Sequence, residues 1–227
     1  MENNQQLIIR VANILDTHYA IRITDEMASS AKARGTGIAK RTPEYIAAKI
    51  LEGKAVIALT HTGIWVGFCY IEEWSHGKFV ANSGLIVAPE FRKSGVAKLI
   101  KKKIFDLSKE RYPEAKIFGL TTGLAVMKIN SELGYEPVTY SELTDDEEFW
   151  AGCKSCVNFD ILVSKERKNC MCTAMLYDPK DHYKPQETTE YFEQHKTVLE
   201  RLLKWKQLFK SKERKKSMKL LSIFFNF

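Results

Sequence analysis

Apolar positions recur along the chain at two periods, and the switches between them mark out its elements. Residues 7–11 form a short apolar run that reads as a strand. From residue 16 to about 33, Tyr19, Ile23 and Met27 fall at helical spacing, with Asp16 or Thr17 as the N-cap. Arg34-Gly35-Thr36-Gly37-Ile38-Ala39-Lys40-Arg41 interrupts this pattern as a glycine-broken basic loop. Thr42-Pro43-Glu44 then supplies an N-cap, an N1 proline and a first-turn acid, predicting a helix to about residue 52 that Gly53 terminates. Three strands follow at 55–60, 64–73 and 79–87, and an antiparallel meander is the economical way to join them. Residues 98–112 read as a helix with Leu99, Ile100, Ile104, Phe105 and Leu107 inward and Lys101, Lys102 and Lys103 clustered near its start, on a solvated face or reaching a ligand phosphate. A strand at 117–121, expected to pair with the strand at 79–87, a helix at 124–133 and a strand at 136–140 continue the chain. An acidic, aromatic insert at 141–169 precedes a last strand at 171–177.

The most informative stretch is residues 82–97, where an apolar strand breaks at Pro89 and a glycine-punctuated turn opens into the lysine-rich helix. The first amides of a helix have no intrahelical acceptor, and the macrodipole is positive there, so Arg92-Lys93-Ser94-Gly95-Val96-Ala97 reads as a cradle for a phosphate. Gly95 lets the backbone approach the ligand, and Ala97 stays small for the same reason.

In that context Val87-Ala88-Pro89-Glu90-Phe91-Arg92-Lys93-Ser94-Gly95-Val96-Ala97 resembles motif A of the GCN5-related N-acetyltransferases, the GNAT superfamily, and the resemblance extends over roughly residues 7–140. It implies an α/β fold with a mixed, mostly antiparallel sheet whose central strand pair splays open at Leu85, Ile86 and Val87. It also implies an acyl-CoA co-substrate with its pyrophosphate on the amides of residues 92–97, and its carbonyl on a strand amide near Ile86 and Val87. Many members carry a tyrosine as general acid four residues before a Gly-Phe pair; here Asn130 stands before Gly134-Tyr135, so it is a candidate for binding the pantetheine arm or the thiolate instead. Proton delivery to sulfur is then left to water or to a tyrosine such as Tyr140 or Tyr177. The runs 33–41 and 119–127, together with the cysteine-bearing insert, look like a bacterial subgroup encoded beside arginine-biosynthesis genes. That likeness implies an amino acid such as glutamate as acceptor and acetyl- or succinyl-CoA as donor.

Acyl transfer to an amine needs a base, and Glu72 and Glu73 at the end of one strand are candidates, with His76 in the following turn or an ordered water relay as alternatives; alternation lets only one of the two glutamates face a given pocket. Arg34 and Arg41 in the basic loop are candidates for gripping an acceptor carboxylate, since a guanidinium offers two parallel bonds. Cys153-x-x-Cys156 and Cys170-x-Cys172 place four of the five cysteines within twenty positions, which makes them candidates for a structural zinc site, with buried or free thiols as the alternative.

The net charge of +7 would suggest nucleic acid if it were spread over the chain, but residues 201–227 hold nine Lys and Arg against Glu213 alone. The remainder is near neutral, so nucleic acid is not expected as a partner. The chain divides into an acyltransferase domain over 1–177 and an extension over 178–227. The extension holds a polar linker, an amphipathic helix at 191–209 carrying Val198, Leu202, Trp205 and Phe209, and a basic, apolar-ended tail. That stripe favours packing, on this domain or in a homodimer, over membrane association. A polar opening, no apolar run near ~20 residues and an odd cysteine count suit a cytoplasmic enzyme. Rival readings are a protein or peptide N-acetyltransferase, its acidic insert drawing a basic substrate, and a non-catalytic CoA-binding module.

Overall fold

A computed structural model describes residues 7–35 and 40–181; the helix expected at 191–209 and the basic tail lie outside the described residues. Seven strands form one sheet in the order β1-β2-β3-β4-β5-β7-β6. They are β1 (Leu7–Val11), β2 (Ala55–Thr60), β3 (Trp65–Trp74), β4 (Phe79–Val87), β5 (Lys116–Thr121), β6 (Glu136–Val138) and β7 (Thr173–Tyr177). All neighbours are antiparallel except β4 and β5. That parallel pair is joined only over Phe79–Ala81 and Lys116–Phe118. Beyond these residues the two strands part, with Asn82 and Gly119 as the first residues on either side of the opening.

Helices α1 (Ala20–Arg34) and α2 (Pro43–Leu51) cover one face of the sheet, and α3 (Val96–Arg111) with α4 (Leu124–Glu132) covers the other. Thr42 caps α2 as its sequence predicts. The first helix begins differently: Asn13, not Asp16 or Thr17, is the N-cap, of a 3-10 turn over Ile14–Tyr19 that leads into α1. Asn13 accepts from the Leu15 amide while Asp16 returns to the Asn13 amide, and Arg10 grips the buried Asp16 carboxylate at 2.7 and 2.9 Å. The insert folds into two short helices, α5 (Glu147–Ala151) and α6 (Phe159–Ser164), and buries Tyr140, Leu143, Trp150 and Leu162 against β5 and β7.

Lys101 departs most from its sequence reading: it is 2% exposed, not on a solvated face. The buried stripe of α3 runs Val96, Ile100, Lys101, Ile104, Phe105, Leu107 and Ser108, so the helix turns the first of the three lysines into the core.

Candidate functional site

The β4–β5 opening and the turn after β4 adjoin one another along the chain. Ala88 donates its amide to Val66 O on β3 at 2.9 Å. Successive amides of a strand point to opposite sides, so the Val87 N–H points away from β3 into the opening. The chain then turns through Pro89–Phe91 and reaches α3 with Lys93 at φ +62° and Gly95 at φ +83°. Lys98 and Leu99 both donate to Gly95 O, and among the described residues the amides of residues 93–97 have no backbone acceptor. A Cβ on Gly95 would meet nothing within 4 Å, so the cradle is open space on the ligand side. Among the described residues, Lys93, Ser94, Gly95, Val96 and Ala97 thus leave their amides unpaired at the start of α3.

Arg92 is placed differently. Its own amide closes the turn on Pro89 O at 3.3 Å, and its guanidinium reaches back to Val87 O, Glu26 and Ser30, bracing the end of β4 against α1. Ser94 turns its hydroxyl onto Phe91 O. Neither side chain is aimed at the cradle, which is therefore a backbone site.

At the root of the opening Asn130 is 1% exposed, with Nδ2 at 3.7 Å from the Met175 sulfur and Oδ1 buried without a partner among the described residues. A Cβ on Gly119 would sit 3.9 Å from Asn82 O and 4.0 Å from Asn130 Nδ2, so these three residues enclose the floor of the cleft. A buried orphan acceptor costs about 1–3 kcal/mol unless something satisfies it. The free cradle amides and the inward Val87 N–H are donors of the kind that the pyrophosphate and carbonyl of an acyl-CoA accept from.

The α1/α2 face carries the remaining candidate residues. Tyr70, Glu72 and Trp74 alternate onto this face of β3, while Glu73 points to the α3 face and bonds Tyr112 and Lys54. Glu72 is 4% exposed, and one oxygen, Oε1, accepts from both Arg41 at 2.9 Å and Tyr45 OH. Its second oxygen has no protein partner among the described residues. Arg41 also donates to Tyr70 OH at 3.0 Å and lies over the Tyr45 ring. Burial works against the Arg41 charge, but Tyr70 and Glu72 outweigh it and hold the guanidinium above its ordinary pKa. Burial and then Glu72 push the hydroxyls of Tyr45 and Tyr70 upward, so both remain donors.

Arg41, expected on an acceptor carboxylate, is engaged here by Glu72 and Tyr70 of the protein itself. Arg34 ends α1, and its side chain lies outside the described residues, as do residues 36–39. The insert reaches this loop: Lys40 N donates to Ser155 Oγ at 3.1 Å, and a Cβ on Gly152 would lie 3.9 Å from Arg41. Tyr45 and Tyr70 were missed in the sequence, although Tyr70 stands two residues before Glu72 on one strand and so had to share its face.

Among the described residues no group of three or more His, Cys, Asp or Glu is placed to hold a metal ion. The zinc expectation for Cys153, Cys156, Cys170 and Cys172 is corrected accordingly, and all are free. Two of the thiols turn onto the insert's own backbone at Asn158. Burial and neighbouring thiols push Cys153 up to about 11 and Cys172 up to about 12. Tyr140, considered as an acid, donates instead to Cys172 O at 2.8 Å. No helix among the described residues is long and apolar enough to cross a membrane.

No family model and no curated protein matches this sequence. Solved structures do. N-acetylglutamate synthase from Neisseria gonorrhoeae, complexed with coenzyme A and N-acetyl-glutamate, superposes with a TM-score of 0.54 at 16% identity, over 76% of this chain and 35% of that one. The chain thus spans about a third of that enzyme's length. Phosphinothricin acetyltransferase from Sinorhizobium meliloti with acetyl-CoA matches at a TM-score of 0.51 and 14% identity, over 76% of this chain and 88% of that one. Diaminobutyrate acetyltransferase from Paenibacillus lautus, with its substrate and coenzyme A, gives 0.51 at 11%, over 79% and 99%. At these identities the likeness is one of architecture, and the chain has the GNAT acetyltransferase fold.

Proposed function

We propose that the protein is an N-acyltransferase that moves an acetyl or other short acyl group from acyl-CoA to the primary amine of a small amino acid such as glutamate. The observation that carries this reading is the Val87 N–H, directed away from β3 at the β4–β5 opening, followed closely in the chain by the free amides of residues 93–97. In it, the pyrophosphate lies on those amides, Asn130 receives a donor from the pantetheine arm, and the acyl carbonyl oxygen lies on Val87 N–H. Glu72 takes the proton of the acceptor ammonium on its unpartnered oxygen. The amine nitrogen then bonds the acyl carbon, and Val87 N–H receives the charge that develops on oxygen. The carbon–sulfur bond breaks, the nitrogen gives up its second proton to water as the amide forms, and the departing thiolate takes a proton from water. Glu73, on the opposite face, takes no part. The structural neighbours solved with N-acetyl-glutamate and with diaminobutyric acid support an amino-acid acceptor.

A thiol-release assay with acetyl-CoA and succinyl-CoA over free amino acids, polyamines and peptides tests this. Turnover on free amino acids is the expected result. Turnover on peptides alone would sink the acceptor class, and tight CoA binding without turnover on any amine would sink the enzyme. Gly95→Asp, at a positive φ and carrying a negative charge into the cradle, should reduce CoA affinity by more than about tenfold. Unchanged affinity in the folded variant would move the phosphate site elsewhere.

A further inference from the structure

Beneath the floor of the cleft lies a charge that the reaction above does not use. Lys101 Nζ is buried between α3 and the sheet, donates to Asn82 Oδ1 at 3.2 Å and lies 4.9 Å from the centroid of the Tyr135 ring. Asn82 is the first β4 residue past the last β4–β5 pair, and its side chain is held at both ends. Its Oδ1 also accepts from Tyr135 OH at 3.0 Å, and its Nδ2 donates to Ser108 Oγ at 2.8 Å. Tyr135 in turn donates its amide to Asn130 O at 3.1 Å. One ammonium therefore ties together β4, α3 and the end of α4, the three elements that bound the root of the cleft.

A buried amine without a carboxylate is costly, and it is kept here where the strands part. We propose that Lys101 is a positioning residue of the acyl-CoA cleft, its ammonium fixing the root of the splay through Asn82 and placing a positive charge under the floor, so that acyl-CoA binding is coupled to its protonation. This rests on the acyl-CoA reading of the site.

The surroundings leave the coupling to this one group. Burial lowers the Lys101 amine to about 8. Cys69, facing it from β3 and donating to Ser83 O, is pushed by burial up to about 11. Tyr135 after α4 and Tyr177 on β7 beside it are both raised, again chiefly by burial. Between pH 7 and 9.5 the thiol and both phenols stay neutral while the amine loses its proton.

Calorimetric titration of the full chain with CoA at pH 7 and pH 9.5 tests the coupling. The wild type should lose about tenfold in affinity at the higher pH, the scale of one unit charge acting over ~10 Å at an effective dielectric of about 20. Lys101→Met should show the weaker affinity at both values. Asn82→Asp sets a carboxylate against the ammonium and should move the wild-type loss to higher pH, a shift that a purely structural role would not produce. The proposal is overturned if folded Lys101→Met binds like wild type at pH 7, if it keeps the wild-type pH dependence, or if Asn82→Asp leaves the step in place. A folded wild type that binds no CoA at either pH overturns the acyl-CoA reading and this proposal with it.

Discussion

Each face of the sheet holds a cation, half-buried Arg41 on one and buried Lys101 on the other, and the two do so by opposite means. On the α1/α2 face Arg41 meets a full negative charge on Glu72 and the hydroxyl of Tyr70, and it is held ionised. On the α3 face Lys101 meets the dipole of Asn82 and the face of Tyr135, and its proton is held weakly. A carboxylate partner fixes a charge, whereas dipoles leave it responsive. The first arrangement suits a site where Glu72 must keep one orientation for repeated proton transfer. The second suits a site whose charge is read by something else.

The largest effect should come from breaking Glu72 itself. Glu72→Gln keeps the shape and an oxygen for Tyr45 and Arg41 but removes the proton acceptor, so turnover should fall about 10²–10⁴-fold in the thiol-release assay with CoA affinity unchanged. A variant within threefold of wild type would end the assignment of Glu72 as base and leave it a structural partner of Arg41.

Next is the paired cation. Arg41→Met leaves the Glu72 charge buried with Tyr45 alone and should destabilise the fold by about 3–5 kcal/mol. Combining it with Glu72→Gln should recover much of that loss, because the orphaned charge goes too. Urea unfolding of the two single variants and the double closes the cycle; strictly additive losses would mean that the pair does not interact.

The dipole-held cation should respond with the opposite sign. Folding lowers the Lys101 amine from the ordinary lysine value of 10.5 to about 8, so the fold favours the neutral form. That contribution is fully present above the ordinary value and is lost as pH falls through about 8. At pH 7 the charge therefore costs about 3 kcal/mol, and Lys101→Met should stabilise the fold by a similar amount. The advantage should shrink as pH rises toward 10. A variant less stable than wild type at pH 7 would show that the Asn82 and Tyr135 contacts outweigh the cost of burial.

These differences bear on what the sequence discloses. The cradle was legible because a proline break, a glycine at a left-handed position and a helix start are local events, each written in a few adjacent residues. The splay was foreseen only through family likeness, since nothing in residues 79–87 alone says where pairing with a strand thirty residues later stops. Glu72 and Glu73 were separable by alternation, but the choice between their faces depended on where α2 brings Tyr45. Lys101 was misread by taking three consecutive lysines as a unit. Helical spacing already set it within the stripe of Ile100, Ile104, Phe105 and Ser108. The cysteine spacing suggested a metal because sequence gives separations along the chain, whereas ligation depends on where the sulfurs point.

The smallest expected effect separates the adjacent carboxylates. Glu73 is 45% exposed at its side chain and pairs with Lys54 at 3.3 Å and with Tyr112 OH. The Tyr112 hydrogen bond, with Lys54 adding to it against a small cost of burial, holds its pKa below the ordinary glutamate value. Its contribution to stability is therefore present above the ordinary value and is lost as pH falls through the lowered one, a window wholly on the acid side of neutrality. Solvent screens a pair this exposed, so Glu73→Gln should cost at most about 1 kcal/mol at pH 7 and leave the rate of thiol release unchanged. A loss of turnover comparable to that of Glu72→Gln, in a variant of unchanged stability, would place the acceptor on the α3 face and reverse the assignment of the two faces of the sheet.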